Sequence, residues 1–293
     1  MRFAALWIVV LASGCASQRL TFDVTSDIHE STEPGNSNGA AFKVVAQTLR
    51  DMGPGQFMIT SGDMVCAEHV RKTLDEVLGS EYPWYFALGN HDIEKPENLA
   101  WLRRYNAGGR TLPHIVRSGP AGATETCYSF DYGNAHLVAI NEYYNGQRDD
   151  VAGGEIGDAL HAWLAEDLAA NRKPIVFVFG HEPYLPLADM DTSQLRHRGD
   201  SLDAAKAAPE RFWSLLRKHH VTAYICGHTH CTSVAKFNGV WQLNVSRPFG
   251  SDKSGAGGFL RIRIDSSRVY CDVYRNTGGG QNPFRLTYSE QLR

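Results

Sequence analysis

Five short polar segments carry side chains that bind divalent cations. They are Asp27-Ile28-His29, Gly62-Asp63, Gly89-Asn90-His91-Asp92, Gly180-His181 and Gly227-His228-Thr229-His230. Carboxylate, imidazole and carboxamide oxygen suit metals of intermediate hardness such as Mn, Fe, Zn or Co, whereas thiolates would point to structural zinc. No segment contains a cysteine. Each directly follows an apolar, β-branched or aromatic stretch that reads as a strand. Loops at the ends of parallel strands converge on one edge of a sheet, so ligands spread from position 27 to position 230 can meet in space. If the chain stays extended there, Asp27-x-His29 and His228-x-His230 each project both members the same way. Glycines at 62, 89, 180 and 227 precede proposed ligands and permit sharp turns. A ligand set of this size suits two adjacent cations and a hydrolase of phosphate esters.

The elements that must position these residues are legible as alternating strands and helices. Thr21–Ser26, Phe57–Thr60, Trp84–Leu88, Ile175–Phe179 and Val221–Cys226 read as the strands that deliver the five segments. Helical spacing is visible in Phe42, Val45, Leu49 and Met52, in Val70, Leu74 and Val77, and in Leu99, Leu102 and Tyr105. Two further helices are expected from about Ile156 to Ala170 and around Phe212, Leu215, Leu216 and His219. Cys127–Phe130 and Ala135–Ile140 read as a hairpin, and Asn238-Gly239 is a two-residue hairpin turn. Phe259–Ile264 and Val269–Tyr274 alternate as strands. Gly108–Glu125 reads as loop, and Leu185–Asp203 as a loop over the site. One domain over 20–276 is expected, with 277–293 left as a tail.

The chain has 293 residues, 43% hydrophobic and 21% charged, in keeping with an ordinary globular protein. A net charge of −3 without a dense Lys/Arg run argues against a sequence-independent nucleic-acid binder. Arg2 precedes the uncharged stretch Phe3–Ala12 and then Ser13-Gly14-Cys15, the form of a secretory signal too short to span a bilayer. Leu11–Cys15 resembles the lipobox of bacterial lipoproteins, and Ala16 resembles outer-membrane sorting facing the periplasm; plain secretion is the alternative. Residues 1–15 are therefore set aside as signal peptide and lipobox, with an N-terminal lipid anchor on the membrane expected. Cys66, Cys127, Cys226, Cys231 and Cys271 remain, enough for at most two disulfides. A Cys226–Cys231 bridge would brace the last motif; two small buried thiols is the equal alternative.

The ordered pattern D-x-H, GD, GNH[DE], H, GHxH, complete from Asp27 to His230, resembles the calcineurin-like metallophosphoesterase superfamily. The resemblance implies an α/β fold, two mixed β-sheets packed face to face as a sandwich and flanked by helices. It implies a pair of divalent transition-metal ions (Mn, Fe or Zn). Asp27, His29 and His230 would hold the first, and Asn90, His181 and His228 the second, with Asp63 bridging. His91 would act beside the leaving-group oxygen, with Asp92 holding its ring. Purple acid phosphatases of this superfamily carry a tyrosine three residues after the bridging aspartate; Cys66 stands there, which separates this chain from that branch.

Other candidates have ordinary explanations. His69, His114, His136, His161, His219 and His220 fit structural roles. His197, in Arg196-His197-Arg198, could reach a substrate phosphate or be a solvated loop charge. Tyr143 and Tyr144 could stack on a base or sit idle at the surface, and Arg247 is equally ambiguous. The short form of the pattern is similar to branches that hydrolyse phosphodiesters such as cyclic nucleotides, by attack of a metal-bridging hydroxide. A phosphomonoesterase on the same centre is the alternative, and a non-catalytic metal-binding lipoprotein is the competing class. The expected partner is a small phosphate-ester substrate.

Overall fold

Period-two alternation decides what the central strands bury. In β7 (Ile175–Phe179), Ile175, Phe177 and Phe179 face one apolar cluster while Val176 and Val178 face another. A strand apolar on both faces must be covered on both. In the computed structural model, which describes residues 19–30, 37–149, 153–204, 208–251, 255–278 and 283–293, one face meets a second sheet and the other meets helices.

The first sheet contains β1 (Arg19–Thr25), β2 (Phe57–Ser61) and β3 (Trp84–Ala87), mutually parallel. Antiparallel β11 (Gly258–Asp265), β12 (Arg268–Asn276) and β13 (Phe284–Gln291) extend it, in the order β13-β12-β11-β1-β2-β3. The second sheet begins with β4 (Ile115–Ser118), β5 (Tyr128–Tyr132), β6 (Ala135–Ala139) and β7. It continues through β8 (Ala223–Cys226), β9 (Ser233–Phe237) and β10 (Val240–Asn244), in the order β4-β5-β6-β7-β8-β10-β9. Both sheets are mixed, and they pack face to face. Phe22 of β1 meets Phe177 of β7 edge-on at 5.3 Å between ring centroids, and Tyr85 of β3 stacks on Phe130 of β5 at 3.7 Å.

Helices α1 (Asn38–Met52) and α2 (Ala67–Leu78) connect the strands of the first sheet, and α3 (Asn90–Ile93) and α4 (Pro96–Tyr105) lead from β3 to β4 of the second. Phe42, Val45 and Leu49 are the buried stripe of α1, and Trp101 and Tyr105 of α4 lie against Trp84. Helices α5 (Asp158–Ala170) and α6 (Ala208–Lys218) cover the second sheet, where Trp163, Leu164, Phe212 and Leu216 close over Val176, Val178 and Tyr224. Asp23, on the face of β1 away from Phe22, is buried and accepts from Arg261 Nε at 2.7 Å and from Gly55 N–H at 2.8 Å.

Three expectations change, and one open alternative is decided. The stretch read as loop over 108–125 contains β4, a four-residue edge strand with an irregular register. The segment 277–293, set apart as a tail, supplies β13, which pairs with β12 from Asn276↔Phe284 onward and so belongs to the domain. Its outward residues leave Leu286 52% exposed, which is why hydropathy did not mark it. Tyr143 and Tyr144 are buried, not at the surface; their hydroxyls donate to Glu182 Oε1 and to the Ala121 carbonyl. The five cysteines from Cys66 onward are free thiols. Cys226 Sγ points to Asn244 Oδ1 and Cys231 Sγ to the Gln194 carbonyl, so no bridge braces the last motif. The proposed signal and lipobox, residues 1–15, lie outside the described residues. Among the described residues no helix is long and apolar enough to cross a membrane.

Phe130 fills the space between the sheets. Phe130→Ala is expected to cost about 3–5 kcal/mol of folding free energy, read from the urea midpoint at unchanged slope; a loss under about 1 kcal/mol would show that the sheets do not close on this ring.

Candidate metal centre

The pairing of β1 and β2 does not stop where the strands do. Asp27 N–H donates to the Gly62 carbonyl at 3.0 Å, His29 N–H to Asp63 at 2.9 Å, and Glu30 N–H to Met64 at 3.0 Å. This runs the first two ligand loops side by side. The loop after β8 joins them through His228 N–H, which donates to Asp27 Oδ2 at 3.0 Å. The backbone there is not extended, contrary to expectation. Asp27, His29, Asp63, His228 and His230 all have left-handed φ, between 48° and 65°. The turn falls on the ligands themselves, a strained conformation for residues with a Cβ, of the kind that clusters at functional sites.

Glycine meets a different need. A Cβ on Gly62 would stand 2.3 Å from His181 Nδ1, and one on Gly89 would stand 2.1 Å from Asp63 Oδ1. Only backbone fits between these ligands.

Three side chains gather on one side: Asp27, His29 and His230. His29 Nε2 and His230 Nε2 are 3.2 Å apart, and Asp27 Oδ1 is 3.4 Å from His230 Nε2 and 4.0 Å from His29 Nε2. Asp63, His181 and His228 gather on the other. Asp63 Oδ2 lies between the groups, 3.3 Å from His181 Nε2 and 3.7 Å from His29 Nε2, while its Oδ1 accepts His91 N–H at 3.0 Å. Bond lengths of about 2.1 Å place neighbouring ligand atoms about 3.0–3.5 Å apart; the 3.2, 3.3 and 3.4 Å pairs match that spacing, and the 3.7 and 4.0 Å pairs lie just beyond it.

Hydrogen bonding tests the fit. Asp27 Oδ1, Asn90 Oδ1, His181 Nε2 and His228 Nε2 are shut off from solvent and have no protein partner. Buried polar atoms are ordinarily paired, so these acceptors suit cations. The His181 ring is fixed by Nδ1, which donates to the Ser61 carbonyl at 2.7 Å, leaving Nε2 toward Asp63.

Charge points the same way. Burial pushes His29 down to about 4 and His228 and His230 down to about 2, which keeps their lone pairs free. Burial, reinforced by the charge of Asp63, raises Asp27 to about 7. Burial would raise Asp63 too, but His181 and the neighbouring imidazoles hold it well below the usual carboxylate range. His181 is raised in return, against the effect of burial, by Asp63. Asp63 thus favours positive charge at this point of the site, as a bound cation would supply.

His91 is half-exposed, its ring 5.1 Å from that of His29. Asp92 does not hold that ring. Its Oδ1 accepts Met64 and Val65 N–H at 3.0 and 2.9 Å and Asn98 Nδ2 at 2.9 Å, and its Oδ2 accepts Gly89 N–H at 2.9 Å. Four donors consume the buried carboxylate, so Asp92 fastens the loop after β2 to the loop after β3. The partner of His91 Nδ1 is Glu94 Oε2, at 2.8 Å.

Three contributors, Glu142, Arg196 and Asp189, lie outside the sequence motifs. Buried Glu142 accepts His181 N–H at 2.8 Å and the Tyr224 hydroxyl. It follows β6 as Asp63 follows β2, and an acid directly behind an apolar strand was the available signal. Arg196 contacts His230 Nδ1 and lies 3.2 Å from His197 Nε2, and the His197 ring is 4.3 Å from that of His228. The loop over 185–203 thus does lie over the site. It is held by the buried pair Asp189–Arg275 at 2.9 Å and by Thr232 N–H, which donates to Asp189 Oδ2. Arg247 is half-buried over Phe249, 4.3 Å from the ring, and its charge helps depress His29 and His230. Cys66 joins no metal-binding group among the described residues.

The sequence pattern described as calcineurin-like phosphoesterase matches residues 20–232. Tartrate-resistant acid phosphatase type 5 of Mus musculus is 22% identical over 92% of this chain and 82% of its own length. Purple acid phosphatase 22 of Arabidopsis thaliana is 28% identical over 54% of this chain and 32% of its own. Among solved structures, PhoD superposes with a TM-score of 0.60 at 15% identity, over 92% of this chain and 72% of that one. GAP50, the anchor in the inner membrane complex of Plasmodium, gives 0.59 at 14% identity, over 94% and 88%. At these identities the two structures speak to fold.

Asp63→Ala is expected to weaken cation binding by about 100-fold or more, seen as loss of bound metal by elemental analysis; a full pair retained would contradict a shared carboxylate. Because Asp27 ionises near 7 in the metal-free protein, apparent metal affinity should fall as pH drops below that value, by roughly tenfold per unit for each proton displaced. Calorimetric titration across pH measures it; a flat profile would contradict proton competition at the ligands.

Proposed function

The chain belongs to the calcineurin-like phosphoesterase family, and from that premise we propose that it hydrolyses phosphomonoesters at a dinuclear metal centre. The family and the acid phosphatase relatives support phosphoester hydrolysis and imply two divalent cations. The finer reading rests on one observation: Arg196, His197 and Arg247 crowd the ligand cluster beyond the needs of metal binding. A monoester dianion offers such groups one more negative charge than a diester does. The short motif set taken alone points toward diesters; the cationic rim and the relatives' names favour the monoester.

Asp27, His29 and His230, with Asp63, would hold one cation, and Asn90, His181 and His228, with Asp63, the other. Bound there, the pair supplies Lewis-acid polarisation of phosphoryl oxygens and a water acidic enough to attack near neutral pH. The protein's own groups do the rest. Glu94 accepts from His91 Nδ1 and fixes the ring, leaving Nε2 to give or share a proton at the leaving-group oxygen. Arg247 supplies a fixed planar donor for phosphoryl oxygens, and Arg196 and His197 lie beside His230 and His228.

Metal-loaded protein should show higher kcat/KM on p-nitrophenyl phosphate than on bis(p-nitrophenyl) phosphate. The reverse order would return the reading to a diesterase, and activity on neither with metal bound would indicate a binding module. His91→Ala should slow turnover by about 10²–10⁴-fold with metal content kept. Arg247→Ala should cost the monoester about 10–100-fold in kcat/KM and the diester much less; equal losses would remove its proposed selectivity.

A further inference from the structure

At the beginnings of β7, β8 and β10, beside the C-terminal ends of α5 and α6, lies a basin of about 1660 Å³. Its wall includes Arg172, Lys173, Arg217, Lys218, Lys236 and Arg293, and no aspartate or glutamate. The chain as a whole has 29 Lys and Arg against 32 Asp and Glu, so this is a local concentration of one sign.

Ordinary roles absorb only part of it. Arg172 Nη1 donates to the carbonyls of Ala169, Ala170 and Asn171 at 3.0, 3.1 and 2.9 Å, closing α5. Arg217 and Lys218 stand in the last turn of α6, where a helix favours cations. Lys236 Nζ lies over Trp241, 5.2 Å from its centroid, and Arg293 reaches the Pro174 carbonyl. Among the described residues only Lys173 has a carboxylate within ion-pair range, Asp131 at 3.6 Å. The remaining charge faces solvent.

The same edge of the molecule carries the start of β1. Arg19 pairs with Asp265; the adjoining Ser266 carbonyl accepts from Asn134 Nδ2 at 2.6 Å; the neighbouring Gly133 carbonyl accepts from Lys173 Nζ at 2.9 Å. Cys15 precedes Arg19 by four residues in sequence, a contour of at most about 14 Å.

We propose that this edge docks on a bilayer containing anionic phospholipid, with the basin's cations against headgroup phosphates. The inference rests on reading Leu11–Cys15 as an acylation signal and is independent of the hydrolytic reading. Acyl chains on Cys15 would attach the domain without fixing its orientation. The basin supplies orientation, because attraction between clustered cations and an anionic surface acts only within about a Debye length of contact. In that pose the metal ligands, at the other ends of the strands, stay open to soluble substrate.

The test uses the chain from position 15 onward, without the signal stretch, carrying Cys15→Ser, which cannot be acylated, in flotation with two vesicle types. One is pure phosphatidylcholine and the other contains about one-third phosphatidylglycerol. Flotation should be at least about tenfold higher with the anionic vesicles, and at least about tenfold lower again in Arg217→Glu/Lys218→Glu/Lys236→Glu. Arg217→Gln/Lys218→Gln, which removes two exposed charges without reversing them, should lose about severalfold. In the glutamine variant turnover of p-nitrophenyl phosphate should match the parent and the thermal midpoint should stay within about 4 °C of it, separating docking from hydrolysis and from folding. Equal flotation on both vesicle types, or an unchanged glutamine variant, would overturn the proposal. So would release by dilute inorganic phosphate at constant ionic strength, which would mark a small-anion site instead.

Discussion

Asp27 Oδ1, Asn90 Oδ1, His181 Nε2 and His228 Nε2 are buried acceptors without donors. Leaving such atoms unpaired costs about 1–3 kcal/mol each, and Asp27 and Asp63 add electrostatic repulsion where solvent cannot screen it. Positive charge at the centre resolves all of this at once. The rest of the molecule around the site is an apparatus for holding those acceptors in place against their own cost.

Carboxylates that never meet substrate do much of the holding. Asp92 ties the loop after β2 to the loop after β3, Glu142 holds the backbone of His181, and Asp189 ties the covering loop to Arg275 of β12 and to the backbone at Thr232. Each is buried and multiply hydrogen-bonded, the condition under which such a group rigidifies a site instead of destabilising it. Asp92 and His91 illustrate how adjacency in sequence misleads: α3 turns one inward to four donors and the other outward to Glu94.

The ligand-bearing strands were legible because each is a short apolar run ending in a polar motif, and the sandwich follows once those strands must be covered on both faces. What was illegible is what sequence spacing does not encode. β13 buries little, so its pairing with β12 left no hydropathy trace. The left-handed turns at Asp27, His29, His228 and His230 come from backbone contacts between loops far apart in the chain, and periodicity has no access to them. Arg196 and Arg247 look like any loop arginines until the fold sets them beside the imidazoles. Glu142 could have been noticed as an acid behind a strand; Tyr143 and Tyr144, its more conspicuous neighbours, proved to be interior residues.

The two ends of the parallel strands divide the chemistry of the protein between them. At the C-terminal ends, buried anionic and lone-pair atoms demand cations. At the other ends, cations gather with almost no carboxylate to answer them. A net charge of −3 conceals this polarity entirely, because a sum over residues discards where each one lies. The rim of Arg196, His197 and Arg247 adds a second, smaller positive zone at the catalytic end. In that rim Arg196 contacts His230 and the His197 ring lies against that of His228, whereas no side-chain partner of Arg217 or Lys218 is found among the described residues. On the docking proposed above, the basin's cations would face a macroscopic surface while the rim at the metal end met one small anion at a time.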